Sequence, residues 1–132
     1  MFLAIDDRDP RPAYQQIAAA IKQQVSVGAL APGAELPAVR ELARELGINL
    51  HTARHAYQVL SQQGIIHLRL GRRARVAPLR ETPAGDGEIE THLVRRIEEL
   101  LTEAYHLGVP PQQLRALLEQ AIDRQQSQRK SS

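Results

Sequence analysis

Apolar residues recur with a helical period over most of the chain, and the breaks between the periodic runs fall on glycine and proline. Tyr14, Ile17, Ile21 and Val25 stand three or four residues apart, which predicts a first helix with one buried face, opened by Pro12 and ended by Gly28. Ahead of it, residues 2–5 read as a short apolar extended piece and residues 6–12 as a turn. Behind it, residues 30–34 form a loop around Pro32-Gly33. Pro37 opens a second helix whose inward positions are Val39, Leu42, Ala43 and Leu46, and Gly47 breaks it. Asn49 is a good N-cap for a third helix that runs to about Gln63, with Ala53, Ala56, Tyr57 and Leu60 as its inner stripe and Gly64 as its C-cap. Residues 65–68 are β-prone, Gly71 with Arg72 and Arg73 marks a hairpin tip, and residues 75–79 return as a short strand stopped near Pro78.

The remainder is different in kind. Residues 82–87 have no large apolar side chain and read as a linker. Ile89, Leu93, Ile97, Leu100, Leu101, Ala104 and Leu107 then mark a long amphipathic helix, residues 108–111 a tight break, and Leu114, Leu117, Leu118, Ala121 and Ile122 a last helix. The polar stretch from Gln125 is expected to fray. The layout expected is therefore a first domain over 1–79, a linker over 80–87, a two-helix region over 88–128 and a disordered tail over 129–132. The fold class is mainly α with a small β-hairpin.

The second helix, Gly47 and the third helix form the strongest pattern. Two helices that cross steeply through a short turn need a small residue where they touch, which Ala43 supplies, and a turn residue that tolerates positive φ, which Gly47 supplies. A hairpin with a basic tip follows, and that order is a winged helix-turn-helix.

Charge sharpens this picture. The chain of 132 residues carries a net charge of only +2, but residues 37–79 hold seven arginines against two glutamates. Before them stand three basic against four acidic residues, and after them seven against nine. A cationic block between acidic flanks suits contact with a polyanion; the plainer alternative is a solvated basic surface. On the free face of the third helix, the N-terminal residues Asn49, Leu50, His51, Thr52, Arg54 and His55 would enter a major groove. Arg54 suits guanine O6 and N7, a pairing worth about 1–3 kcal/mol of discrimination. Asn49, His51 and Thr52 suit phosphates or base edges, although Asn49 and Thr52 also serve simply as caps. Arg40 is placed to meet a phosphate or base beside that helix, and Arg72, Arg73 and Arg75 would lay a basic wing on the backbone or in the minor groove.

Other classes find less support. There is no cysteine, which excludes a disulfide scaffold, a thiolate zinc site and a cysteine nucleophile. His51 and His55 lie one helical turn apart, a zinc-compatible spacing, but no carboxylate ligand follows, so no metal is expected. Glu98, Glu99 and Glu103 read as a solvated face rather than a catalytic pair, and no glycine-rich phosphate loop occurs, so neither an enzyme nor a cofactor is expected. No apolar run reaches membrane-spanning length and the N-terminus does not resemble a signal peptide, so a cytoplasmic protein without a membrane partner is expected. The competing class is a winged-helix module that binds proteins instead of DNA. The two-helix region is too small for a core of its own, and its apolar positions would be hidden by pairing two hairpins across a twofold axis; packing back on the same chain is the alternative.

The blocks at 12–17, 28–30, 32–33, 36–43, 46–49 and 56–57 resemble, in order and spacing, the N-terminal domain of the GntR family of bacterial transcription regulators. The resemblance covers about residues 2–78, and the short two-helix C-terminal region looks like the YtrA subfamily. It implies a homodimeric repressor. A dimer would read two half-sites, so a near-palindromic double-stranded operator is expected, bound through residues 49–63 and a wing at 71–75 by a protein at the bacterial nucleoid. The resemblance further implies DNA contacts at Arg40, Thr52, Arg54 and around Gly71. Some positions depart from the family pattern. Ala38 stands where serine is usual, Leu50 where a polar residue or proline is common, and His51 for asparagine or threonine. The wing reads GRRARV in place of the commoner GRGTFV, which suggests heavier phosphate contact.

Overall fold

Residues 3–131 are described by the computed structural model, in which the helical periods of the sequence become buried stripes. Ile17, Ala18 and Ile21 are the buried face of α1, Ala13–Ser26. Leu42 and Ala43 are buried in α2, Val39–Leu46, and Ala53, Ala56, Tyr57 and Leu60 in α3, Leu50–Gln62. With Leu30, Leu36, Ile66, Ala74 and Val76 they make one hydrophobic cluster, against which Leu3 and Ile5 also pack. Phe2, the start of the expected extended piece, lies outside the described residues. Each large side chain in the cluster contributes roughly 1.5–3 kcal/mol by leaving water.

Pro12 and Pro37 sit just outside the helices they are expected to open. Pro12 is the N-cap residue of α1, and Pro37 precedes Ala38, the N-cap of α2. The Pro37 carbonyl accepts a 2.6 Å hydrogen bond from the buried Tyr57 hydroxyl, which ties the start of α2 to α3. Gly47 ends α2 at φ 65, a left-handed conformation in which its N–H reaches back to the last turn and Ile48 N–H bonds the Ala43 carbonyl at 3.0 Å.

The wing is shorter and better supported than its sequence suggests. Strands β1, Ile66–His67, and β2, Arg75–Val76, pair antiparallel with Ile66 opposite Val76 and His67 opposite Arg75. The loop before α2 adds to the same sheet: Leu36 N–H bonds the Ala74 carbonyl, Val76 N–H the Ala34 carbonyl and Gly33 N–H the Val76 carbonyl, at 2.8–2.9 Å. That loop carries no strand periodicity, because its apolar residues are broken up by Pro32 and Gly33.

The chain divides into two compact units, residues 3–79 with 128–131, and Arg80–Ser127. In the second, helix starts at Asp86 as α4, Asp86–Ile89, two residues inside the stretch read as a linker; Asp86 and Glu88 place negative charge at its N-terminal end. It passes through one π-helical stretch, Glu90–Val94, into α5, Arg95–His106. Thr91 Oγ1 donates to the Gly87 carbonyl within that irregular turn. The last helix, α6, spans Pro111–Ser131, so residues 129–131 are helical rather than disordered. Arg129 and Lys130 in its last turn complement the negative end of the helix dipole. Ser132 lies outside the described residues. Among the described residues no helix is long and apolar enough to cross a membrane.

Burial pushes the Tyr57 phenol well above its ordinary value of 10.0, with Glu41 and Glu45 adding to the rise. The unfolded chain therefore loses this proton first, so stability falls as pH rises past 10.0. Tyr57→Phe removes the bond to Pro37 and is expected to lower unfolding free energy by about 1–2 kcal/mol, seen as a lower urea midpoint at unchanged slope. The variant should also lose part of the alkaline destabilisation; an unchanged midpoint and an unchanged alkaline limb would disprove this role.

Candidate nucleic-acid interface

The buried alanines Ala43, Ala53 and Ala56 leave α2 and α3 room to pack, and the turn at Gly47 and Ile48 fixes their crossing. The outer face of α3 is then determined by what the core does not take. His51, Arg54, His55 and Gln58 are exposed and Thr52 is half-buried. Leu50, expected from the sequence among the groove-facing residues, is instead half-buried against the core, as its apolar side chain requires.

Asn49 serves the helix first. Its Oδ1 accepts the His51 backbone N–H at 2.8 Å, capping α3. His51 Nδ1 lies 3.5 Å from Arg54 Nη1. The His55 ring stacks on Tyr14 of α1, with centroids 4.1 Å apart and planes 8° from parallel. The two histidines thus have different neighbours, and among the described residues no group of three or more His, Cys, Asp or Glu could hold a metal ion.

The wing arginines divide into two kinds. Arg73 is bidentate to Glu41 of α2, at 2.7 and 3.2 Å, and the Glu41 carboxylate holds its guanidinium above the ordinary arginine range. Arg75 bonds Glu35 at 2.6 Å and the Gly33 carbonyl at 2.9 Å. Arg40, Arg69 and Arg72 are exposed, with no side-chain hydrogen bond or ion pair among the described residues. A cavity of about 320 Å³ at the hairpin is lined by His67, Arg69, Arg72, Arg73 and Arg75 together with Gly33, Val76 and Pro78. The Glu41–Arg73 pair joins α2 to the wing, next in sequence to Arg40 on one element and to Arg72 on the other. The sequence points to the arginines but not to Glu41, Glu35 and Tyr14 as supports of this face. The ion pairs span 32 and 40 residues, beyond the reach of any local spacing rule.

Three core helices with a two-stranded wing and a cationic outer face define a winged helix-turn-helix regulator. Residues 13–76 match the family model for bacterial regulatory proteins of the gntR family. The repressor YtrA of Bacillus subtilis is 32% identical over 112 residues, covering 85% of this chain and 85% of that one. The chain belongs to the GntR family, which makes it a transcription regulator and not an enzyme. The solved structure of YtrA from Sulfolobus acidocaldarius superposes with a TM-score of 0.67 at 28% identity, over 92% of this chain and 97% of that one. The DNA-binding domain of AraR in complex with operator ORX1 gives a TM-score of 0.50 at 27% identity, over 58% of this chain and 93% of that one.

Asn49→Ala should cost about 1 kcal/mol of stability through loss of the cap, measured by urea unfolding in the absence of DNA. An unchanged unfolding curve would show that the Asn49 cap adds nothing to the stability of the fold.

Proposed function

We propose that this chain is a homodimeric repressor that binds a near-palindromic operator, acting in the bacterial cytoplasm at the nucleoid. The observation that carries this reading is the arrangement of exposed cations on the first unit. Arg54 stands on α3, Arg40 on α2 and Arg72 on the wing, and the Glu41–Arg73 pair links the last two elements into one head. In this reading α3 enters the major groove with Arg54 at a guanine edge, Thr52 and His51 at phosphates or bases, and Arg40 beside them. Arg72 meets the backbone alongside the groove. Asn49, Arg73 and Arg75 act first as supports, since each is engaged within the protein, and any bond they make to DNA is shared with that role. The relatives add weight: YtrA is named as a repressor, and the AraR domain is in complex with an operator.

Self-association is proposed for the second unit because it has almost no core. Among its described residues only Ala104 and Leu114 are buried, whereas Leu93, Ile97, Leu100, Leu101, Leu117, Leu118 and Ile122 are each 39–53% exposed. Two copies of α5 and α6 packed across a twofold axis would bury these stripes and present two reading heads to two half-sites.

Selection of duplexes from a random pool, followed by anisotropy titration across a salt series and sedimentation of the free protein, tests the reading. Expected are a two-armed recognition sequence, a dimer, and a binding constant that falls steeply with salt. Arg54→Ala should cost about 1–3 kcal/mol and relax preference at one base position per arm. Arg72→Ala should flatten the salt slope by about 0.9 for each phosphate it no longer neutralises. Arg73→Ala should flatten it less, because its guanidinium is held by Glu41. Binding by an Arg40→Ala/Arg54→Ala variant equal to wild type, or no binding of any duplex in dilute salt, would overturn the reading in favour of a protein-interaction module.

A further inference from the structure

The apex of the wing holds a residue that neither the fold nor the cationic surface accounts for. Leu70 is 105% exposed, more than any other large apolar side chain among the described residues, and nothing shelters it. Arg72 N–H bonds the Arg69 carbonyl at 3.1 Å, which closes a tight turn with Leu70 and Gly71 at its corners. Gly71 takes the left-handed corner at φ 74, so the backbone of this turn needs a glycine there and makes no demand for leucine before it. Exposed leucines are ordinary when scattered singly. Leu70 differs in its setting: Arg69 and Arg72 stand on either side without an ion pair among the described residues, and residues 67–80 contain no aspartate or glutamate. The strands behind the turn are tied to the rest of the unit: the wing is fastened by Arg73 to Glu41 and by Arg75 to Glu35.

We infer that Leu70 is an apolar wedge that enters the minor groove of the bound duplex and partly unstacks one base step. This inference rests on the proposal that the wing lies on DNA. Arginines on both sides would seat on flanking phosphates and draw the tip into a groove about 6 Å wide, which a single side chain can enter and a helix cannot. Leucine inserted between bases leaves water, and that gain offsets the cost of separating them. Sequence preference would then arise at a step the wing does not hydrogen-bond, because pyrimidine–purine steps open most easily.

The test uses the full-length protein and the duplex recovered by selection, with 2-aminopurine placed in turn at each step outside the major-groove contacts. Wild type is expected to raise fluorescence at one step in each arm. Leu70→Ser should abolish that rise and weaken binding by about tenfold without changing the salt slope, since an apolar contact releases no counterions. Leu70→Met should keep both signals. The exposure of Leu70 means that neither variant disturbs the core, and matching urea midpoints would verify this. Wild-type binding with no fluorescence rise at any step overturns the wedge while leaving DNA binding intact. Equal affinity for wild type and Leu70→Ser also overturns it and would turn attention to a protein partner at the tip. Failure of wild type to bind any duplex removes the wedge together with the reading beneath it.

Discussion

The packing of α2 against α3 holds the first unit in its shape. Ala43, Ala53 and Ala56 are small enough to let the two helices approach, and Gly47 supplies the one left-handed residue that turns the chain between them. Once that crossing exists, Tyr57 is buried and its hydroxyl finds the Pro37 carbonyl, which sets where α2 begins. The loop ahead of Pro37 is drawn against β2 by the hydrogen bonds of Leu36 and Ala34. The wing, the start of α2 and α3 are therefore parts of one packed object rather than three independent elements.

Electrostatics then operates on that frame at two levels. Arg73 and Arg75 are engaged by Glu41 and Glu35, exposed ion pairs of small individual worth but well placed to fix the direction of the hairpin. Arg40, Arg54, Arg69 and Arg72 are exposed, and among the described residues no carboxylate engages them. A count of arginines alone treats these groups as equivalent, whereas the structure separates those that build the head from those that can meet a phosphate. The same separation explains how so basic a segment can hold a defined shape without acidic residues at its tip.

Much of the fold is legible in the sequence because helical periodicity and punctuation agree. The stripes Ile17–Ile21, Leu42–Ala43 and Ala53–Leu60 are buried as their spacing requires, and Asn49 and Gly47 do what their chemistry favours at helix ends. The illegible parts are those set by distant partners. No local pattern announces that residues 33–36 join the sheet, that Glu41 reaches Arg73, or that His55 stacks on Tyr14. Leu50 shows that a place near the N-terminus of α3 does not outweigh an apolar side chain's pull toward the core. The helical start at Asp86 and the continuation to Ser131 escape a reading that equates polar composition with absence of structure, although the charges at both helix ends favour helix.

In the proposed function, one face formed by α2, α3 and the wing meets double-stranded DNA. Amide hydrogen exchange of the full-length protein, with and without a selected duplex, probes that face residue by residue. Exchange should slow on binding mainly over residues 38–55 and 67–76 in the first unit. Unchanged exchange there, or protection only in α5 and α6, would refute the assignment of this face to DNA.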